Sequence, residues 1–168
     1  LNGVIVTKLK IPSFIVTLCT QNLWAFIALY FCPNGSVAVG MEYRKEISWM
    51  TSKVAGIPVI FFFAVVVVIL LYIFQQYTPS GRAIFAVGAN IRSTRLAGVD
   101  TDKAQIMAFV VSGACSSLAG ALYAYKQKSA VPTIGDALTL SAIASIALGG
   151  TSMAGGRGSV LRTTIGVI

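Results

Sequence analysis

Apolar residues occur along the chain in long runs that contain no charged side chain. Four such runs cover residues 11–41, 54–81, 104–125 and 137–156. A helix that crosses a bilayer needs about 20 apolar residues in succession, so each run is long enough for a membrane span. The pattern therefore predicts an all-α fold, a polytopic membrane helix bundle with spans at residues 11–31, 57–77 and 104–125.

The last apolar run is predicted to be broken. A helical stretch at residues 138–150 is about half a bilayer long, too short to cross alone, and re-entrant helices need protein or a water-filled cavity around them. The segment "LGGTSMAGGRGS" follows and holds five glycines in twelve residues. Glycine permits helix termination and sharp turns, which predicts a helix break at Gly149, Gly150, Gly155, Gly156 and Gly158. A further span then begins at residues 159–168, and a plain interhelical loop stays the alternative.

Composition supports lipid as the solvent for most of the chain. The 168 residues are 56% hydrophobic and 11% charged, whereas a soluble domain carries about 25% charged residues. Both ends look cut, so we expect residues 1–168 to be one transmembrane domain from a longer protein. The net charge of +8 suits loops that face anionic lipid better than nucleic acid, because no basic cluster is interleaved with aromatic residues.

Residues typical of catalysis are scarce. There is no His, which removes the commonest metal ligand and general base, and the glycine segment lacks the Gly-Lys-Ser/Thr ending of a phosphate-binding loop. Cys19, Cys32 and Cys115 are interpreted as small packed hydrophobes. We therefore predict no catalytic residue, no metal site and no cofactor.

Small and polar side chains inside the predicted spans are candidates for helix contacts and for a transport pathway. Small residues recur every four positions in the third span, which favours a close helix approach and a central place in the fold; they are Ala108, Ser112, Ser116, Gly120 and Ala124. Ser141, Ser145 and Gly149 repeat the pattern. The polar pathway candidates are Gln21, Asn22, Ser112, Ser116 and Ser145.

The polar stretch 75–103 is predicted to lie outside the membrane. "TPSG" at 78–81 favours a turn. Asn90 suits the N-cap of a short helix and Gly98 its C′ position. A short capped helix outside the membrane suits docking into another protein, and a solvated surface helix is the alternative. Basic residues are divided six against five between the two sides, so the positive-inside rule gives almost no preferred orientation.

Four segments together resemble one known family. They are "KLKIPSFIVTL", "SGRAIFAVGANIRSTRLAGVD", "VPTIGDALTLSAIASIALGGTSMAGGRGS" and "TTIGVI". This set is similar to the permease subunit of ribose/xylose-type sugar ABC importers, within the branched-chain amino acid/sugar permease superfamily. The resemblance covers nearly the whole chain and corresponds to the middle and later part of a family member.

The resemblance implies a homodimeric, multi-pass permease in the bacterial inner (plasma) membrane. A periplasmic sugar-binding protein would deliver the cargo, and an ABC ATPase subunit would drive its translocation. The implied ATPase-coupling loop contains Gly88, Asn90, Arg95, Leu96 and Gly98. The family usually has an acidic residue just after the Asn, where this chain has Ile91 and Arg92. Residues matching the segment near the translocation pathway are Pro132, Thr133, Gly135 and Asp136.

The predicted function is thus monosaccharide translocation without covalent chemistry in this chain. Two alternatives stay open: a branched-chain amino acid permease subunit, and a channel whose half-helix and glycine turn form a re-entrant pore loop. The channel predicts conductance without ATP or partners.

Overall fold

A computed structural model describes residues 1–32, 35–38, 40, 53–54, 57–132, 134–152, 155–156 and 158–167. The polar, turn-rich sequence of residues 33–58 predicts an extramembrane loop, with Trp49 and Met50 at the lipid headgroups. This segment lies largely outside the described residues.

Helices dominate the described chain. They are α1 (Asn2–Leu9), α2 (Ser13–Phe31), α3 (Val59–Tyr77), α4 (Pro79–Ala89), α5 (Ile91–Leu96), α6 (Thr101–Gln127), α7 (Ile134–Leu148) and α8 (Val160–Val167). Two short antiparallel pairs accompany them, β1 (Val37–Ala38) with β4 (Ser129–Ala130) and β2 (Lys53–Val54) with β3 (Ile57–Pro58). The predicted all-α class is confirmed.

Among the described residues, three helices are long and apolar enough to cross a membrane: α2, α3 and α6. Helix α6 has 27 residues, which at the α-helical rise is about 40 Å. This length exceeds the roughly 30 Å hydrocarbon core, so α6 extends beyond the core. Asp100 caps its start, where the carboxylate accepts a hydrogen bond from Lys103 N at 3.1 Å. That bond and the Lys103 ammonium hold the pKa of Asp100 below its ordinary value.

The three spans alternate in direction, which defines two ends of the bundle. Pairing of β1 with β4 joins the segments that follow α2 and α6, and we call this end the β side. At the other end, Lys10 and Pro12 line the same cleft as Asn90 and Arg95. We call it the α5 side, and it holds both the start of α2 and the stretch 78–100.

The predicted turn at 78–81 is wrong, because this segment starts a helix. Thr78 is the N-cap of α4, and its Oγ1 accepts a hydrogen bond from Gly81 N at 3.1 Å. Pro79 occupies the first helical position, where a missing N–H costs no hydrogen bond. Proline and glycine occur both in turns and near helix starts, so Pro79 and Gly81 did not distinguish between the two.

Helix α1 was not predicted from the sequence. It packs against α6 through Gly3, which is buried. A Cβ atom at Gly3 would lie 3.2 Å from both Ile106 Cα and Phe109 Cβ. Lys10, with a φ of +53°, ends α1 and redirects the chain into α2.

The predicted small-residue face of α6 is packed only at its start. Helices α1, α4 and α5 pack against α6, and Thr101 and Ala104 are buried. Farther along, Ser112, Ser116 and Gly120 are exposed, and among the described residues no atom lies within 4 Å of a Cβ built at Gly120. Among the described residues, the expected continuous helix contact is therefore not formed, since the helices that cover α6 reach only its first half.

Candidate functional site

Helix α5 is closed at both ends by local caps, as the sequence predicts. The Oδ1 atom of Asn90 accepts a hydrogen bond from Ser93 N at 3.1 Å. At the other end Gly98 adopts a φ of +82°. Gly98 N donates to Arg95 O at 3.1 Å and Val99 N to Thr94 O at 3.3 Å, the two bonds of a Schellman motif. Both predicted caps are confirmed.

Two side chains fix α5 to its neighbours. Thr94 is 7% exposed, and its hydroxyl lies 2.8 Å from Ala86 O, the acceptor on α4. Arg95 Nη2 donates to Thr101 Oγ1 at 3.0 Å and to Asp102 Oδ1 at 3.3 Å, both on α6. A six-residue helix is unstable alone in water, so these contacts decide its orientation. These bonds connect α5 to the C-terminal end of α4 and to the N-terminal end of α6.

The exposed apolar residues of α5 lie at its two ends. Leu96, the last residue of the helix, is 85% exposed, and Ile91, the first, is 50% exposed. Of the residues implied to form a coupling loop, Gly88, Asn90 and Arg95 line a cleft of about 900 Å³ between α1, α4 and α6. Arg92 and Lys10 line the same cleft opposite Asp102, so cations outnumber anions there.

The glycine segment does break the helix where the sequence predicts. Gly150 has a φ of +69° and ends α7. Gly150 N donates to Ala147 O at 3.0 Å and Thr151 N to Ile146 O at 3.2 Å, which repeats the cap of α5. Gly155 and Gly156, with φ values of +92° and +73°, then form the turn that leads towards α8.

Helices α7 and α8 cross at glycine-to-backbone contacts. A Cβ atom at Gly149 would lie 2.8 Å from both Arg162 O and Thr163 Cα, and one at Gly166 would lie 2.5 Å from Ser145 O. The pairs show that α8 runs antiparallel to α7. A hydroxyl bond of 2.9 Å between Thr151 and Thr163 closes the end near the turn. Small residues thus permit close helix approach here.

The start of α8 is fixed by a side chain from a distant part of the chain. Gln75 Oε1, near the end of α3, accepts a hydrogen bond from Val160 N at 3.2 Å. N–H groups in the first turn of a helix have no partner within the helix, so Gln75 satisfies one of them. The bond joins α3 to α8 at the α5 side.

The predicted pathway candidates do not converge on one channel. Asn22 is exposed and Gln21 half-buried on α2. Ser145 donates to Ser141 O at 2.9 Å within α7. Ser112 lines a cavity of about 320 Å³ beside Gln75.

Ser116 lines a different cavity, of about 680 Å³, between the ends of α2, α6 and α7. Pro132 and Gly135, which the resemblance placed near the pathway, also line it, together with Thr139. Thr133 and the side chain of Asp136 lie outside the described part of the chain. This cavity is the place where the largest number of the predicted pathway residues meet.

The residues that fix α5 and α8 to their neighbouring helices were not predicted from the sequence. Thr94, Thr101, Asp102 and Gln75 carried no motif, and their partners are visible only in the folded chain. Among the described residues, no group of three or more Cys, Asp or Glu side chains is arranged to hold a metal ion.

Three long apolar helices, together with the shorter helices α7 and α8 on either side of the glycine segment, define a polytopic membrane protein. The whole chain, residues 1–168, matches the family described as the permease component of branched-chain amino acid transport systems. The chain belongs to this family.

Curated relatives include ribose import permeases and a D-allose transport system permease. The chain is 38% identical over its full length to a ribose import permease of Haemophilus influenzae, covering 53% of that protein. It is 33% identical over 99% of its length to the ribose import permease of Bacillus subtilis, covering 52% of it. A D-allose transport system permease of Escherichia coli is 32% identical over 99% of the chain, which covers 50% of that relative. The chain thus spans about half the length of these relatives. No solved structure matches it significantly.

Proposed function

We propose that this chain is part of the membrane-spanning permease subunit of an ABC importer that translocates a monosaccharide, driven by ATP hydrolysis on a separate subunit. The observation that carries the proposal is the rigidly held α5 with its exposed Leu96. Identities of 32–38% to ribose and allose permeases support a sugar as cargo. A periplasmic sugar-binding protein, a second copy of the permease and the bacterial inner membrane complete the proposed assembly.

The mechanism follows from the way α5 is held. Leu96 docks on the ATPase, and nucleotide-driven closure of that subunit displaces α5. Thr94 and Arg95 pass this displacement to α4 and α6 through their hydrogen bonds. Packed helix interfaces are bistable rather than continuously deformable, so a small shift at α5 favours one of two helix arrangements. Alternation between them opens the cavity at Ser116 and Thr139 to each side in turn.

Charge supports a cytoplasmic α5 side. From the order of the segments, six basic residues are predicted on this side, namely Lys8, Lys10, Arg82, Arg92, Arg95 and Lys103, and the sequence alone assigns neither Arg157 nor Arg162 to a side. Because Gly149 packs against Arg162 at the end of α7 near the turn, Arg162 joins the α5 side. The excess of basic residues then favours this side as cytoplasmic by the positive-inside rule, where an ATPase has access to ATP.

Uptake measurements test the proposal against both alternatives. In cells that express the complete transporter, we expect ATP-dependent uptake of labelled ribose, reduced by excess unlabelled pentose and unaffected by leucine. Uptake of labelled leucine in place of ribose would indicate an amino acid permease. Ribose-independent ionic conductance in vesicles without ATP would indicate the channel and contradict the proposal.

A further inference from the structure

The end of α4 and the described part of the glycine turn after α7 meet at backbone atoms and at the Cβ atom of Ala89. A Cβ atom at Gly88 would lie 2.8 Å from Gly156 N, and one at Gly155 would lie 2.8 Å from Gly88 O. One at Gly156 would lie 2.5 Å from Ala89 Cα. Real Cβ atoms do not approach backbone atoms this closely, so the contact requires glycine on both sides. We call Gly88, Gly155 and Gly156 the glycine contact.

On one side, the glycine contact is continuous with α5. Gly88 and Ala89 directly precede Asn90, the N-cap of α5. The Thr94 hydroxyl lies 2.8 Å from Ala86 O, one turn before that point. The end of α4 and the whole of α5 therefore form one rigid unit.

On the other side, the glycine contact is continuous with the α7–α8 pair. The turn is closed by the bond between Thr151 and Thr163. A Cβ atom at Gly158 would lie 2.7 Å from Thr151 Cγ2, so the turn is tightly packed against its own start. Gln75 also fixes the first residue of α8. The turn cannot shift without moving α7 and α8.

We propose that the glycine contact transmits the displacement of α5 directly to the broken helix pair α7–α8, with Gly88 as a positioning residue. The proposal rests on the proposed function in one respect, that α5 is displaced by an ATPase. None of the contacting residues Gly88, Ala89, Gly155 and Gly156 has a side chain that changes rotamer and absorbs the motion, as exposed side chains do within nanoseconds. The route reaches α7 without passing through α6.

Gly88→Ala tests the proposal with little risk to the fold of α4. Gly88 lies inside a helix, where alanine is intrinsically more favourable than glycine, so any loss must come from the new Cβ. The matched control is Gly113→Ala in α6, where a Cβ atom meets no described atom within 4 Å. Gly88→Val provides a larger displacement if the effect of alanine is small.

The first readout measures the contact itself and does not depend on transport. In a protein whose native cysteines are replaced by serine, two new cysteines are introduced, Ser93→Cys on α5 and Ile165→Cys on α8. Spin labels are then attached to these two thiols. We expect one narrow distance distribution for the parent and for Gly113→Ala. Gly88→Ala is expected to broaden or shift it, and an unchanged distribution in both Gly88 variants would overturn the proposal.

The second readout separates coupling from assembly. At equal amounts of assembled transporter, we expect Gly88→Ala to lose about tenfold of the stimulation of ATP hydrolysis by ribose-loaded binding protein, whereas Gly113→Ala keeps it. Full stimulation with a shifted distance distribution would also overturn the proposal. If the parent transports no ribose, the proposed function fails, while the distance measurement still decides whether the glycine contact holds α5 to α8.

Discussion

Replacing Gly98 with valine is expected to lower ribose uptake and binding-protein-stimulated ATP hydrolysis by about tenfold. Gly98 ends α5 with a φ of +82°, and an L-residue in the left-handed region costs roughly 1–2 kcal/mol. A cost of 1.4 kcal/mol is a factor of ten in an equilibrium constant, so this helix end would be about tenfold less populated relative to its alternatives. Leu96, two residues earlier, would then no longer be presented to the ATPase in one orientation.

Gly98→Asn is the matched control for this prediction. Asparagine tolerates the left-handed conformation at the C′ position, and among the described residues no atom lies within 4 Å of a Cβ there. We expect it to keep most of the stimulation. Equal losses in both variants would assign the effect to the side chain rather than to backbone conformation, and no loss in Gly98→Val would remove Gly98 from the coupling mechanism.

Gly149→Leu is expected to separate α7 from α8 and to reduce the amount of folded protein in the membrane severalfold. The first atom of the new side chain would lie 2.8 Å from both Arg162 O and Thr163 Cα. Backbone atoms in a closed helix pair cannot move aside without breaking the bond between Thr151 and Thr163. Overpacking of this kind costs about 1–3 kcal/mol or more.

Ala147→Leu is the corresponding control on the same helix. Ala147 is exposed, so a larger side chain there meets lipid or solvent. Thermal unfolding in detergent and the yield of membrane-inserted protein give the comparison. A Gly149→Leu protein that is as stable as Ala147→Leu would show that α7 and α8 do not pack closely at this point.

Local signals along the chain predicted the parts of the site that depend on neighbouring residues. Asn90 and Gly98 determine both ends of α5 through hydrogen bonds that span three to five residues, so the sequence contained the full information. Gly150 ends α7 by the same local motif. Long apolar runs likewise predicted α2, α3 and α6, because span length depends only on composition.

Contacts between residues that are distant in the sequence could not be predicted from such local signals. Gln75 and Val160 are 85 residues apart, and nothing in either segment indicates the other. The glycine contact joins Gly88 to Gly155 and Gly156 in the same way. The sequence predicted a helix break at Gly155 and Gly156, but only the packing shows that this segment contacts Gly88.

The small-residue face of α6 shows a different limit. Its spacing predicted a close helix partner, yet Ser116 and Gly120 line a cavity instead. Periodicity shows that a face permits close approach; it does not determine which helix occupies that face. The small residues of α7 were used for packing because α8 follows them directly in the chain.

Crosslinking from Leu96, at the C-terminal end of α5, tests most directly whether this helix docks on the ATPase subunit. In the cysteine-replaced transporter, Leu96→Cys is treated in membranes with a short bifunctional thiol-to-amine reagent, and Tyr30→Cys serves as the control. Tyr30 is 76% exposed near the end of α2 at the β side. We expect a covalent product between the permease and the ATPase subunit for Leu96→Cys and none for Tyr30→Cys. A product from Tyr30→Cys alone, or from neither variant, would contradict docking of α5 on the ATPase.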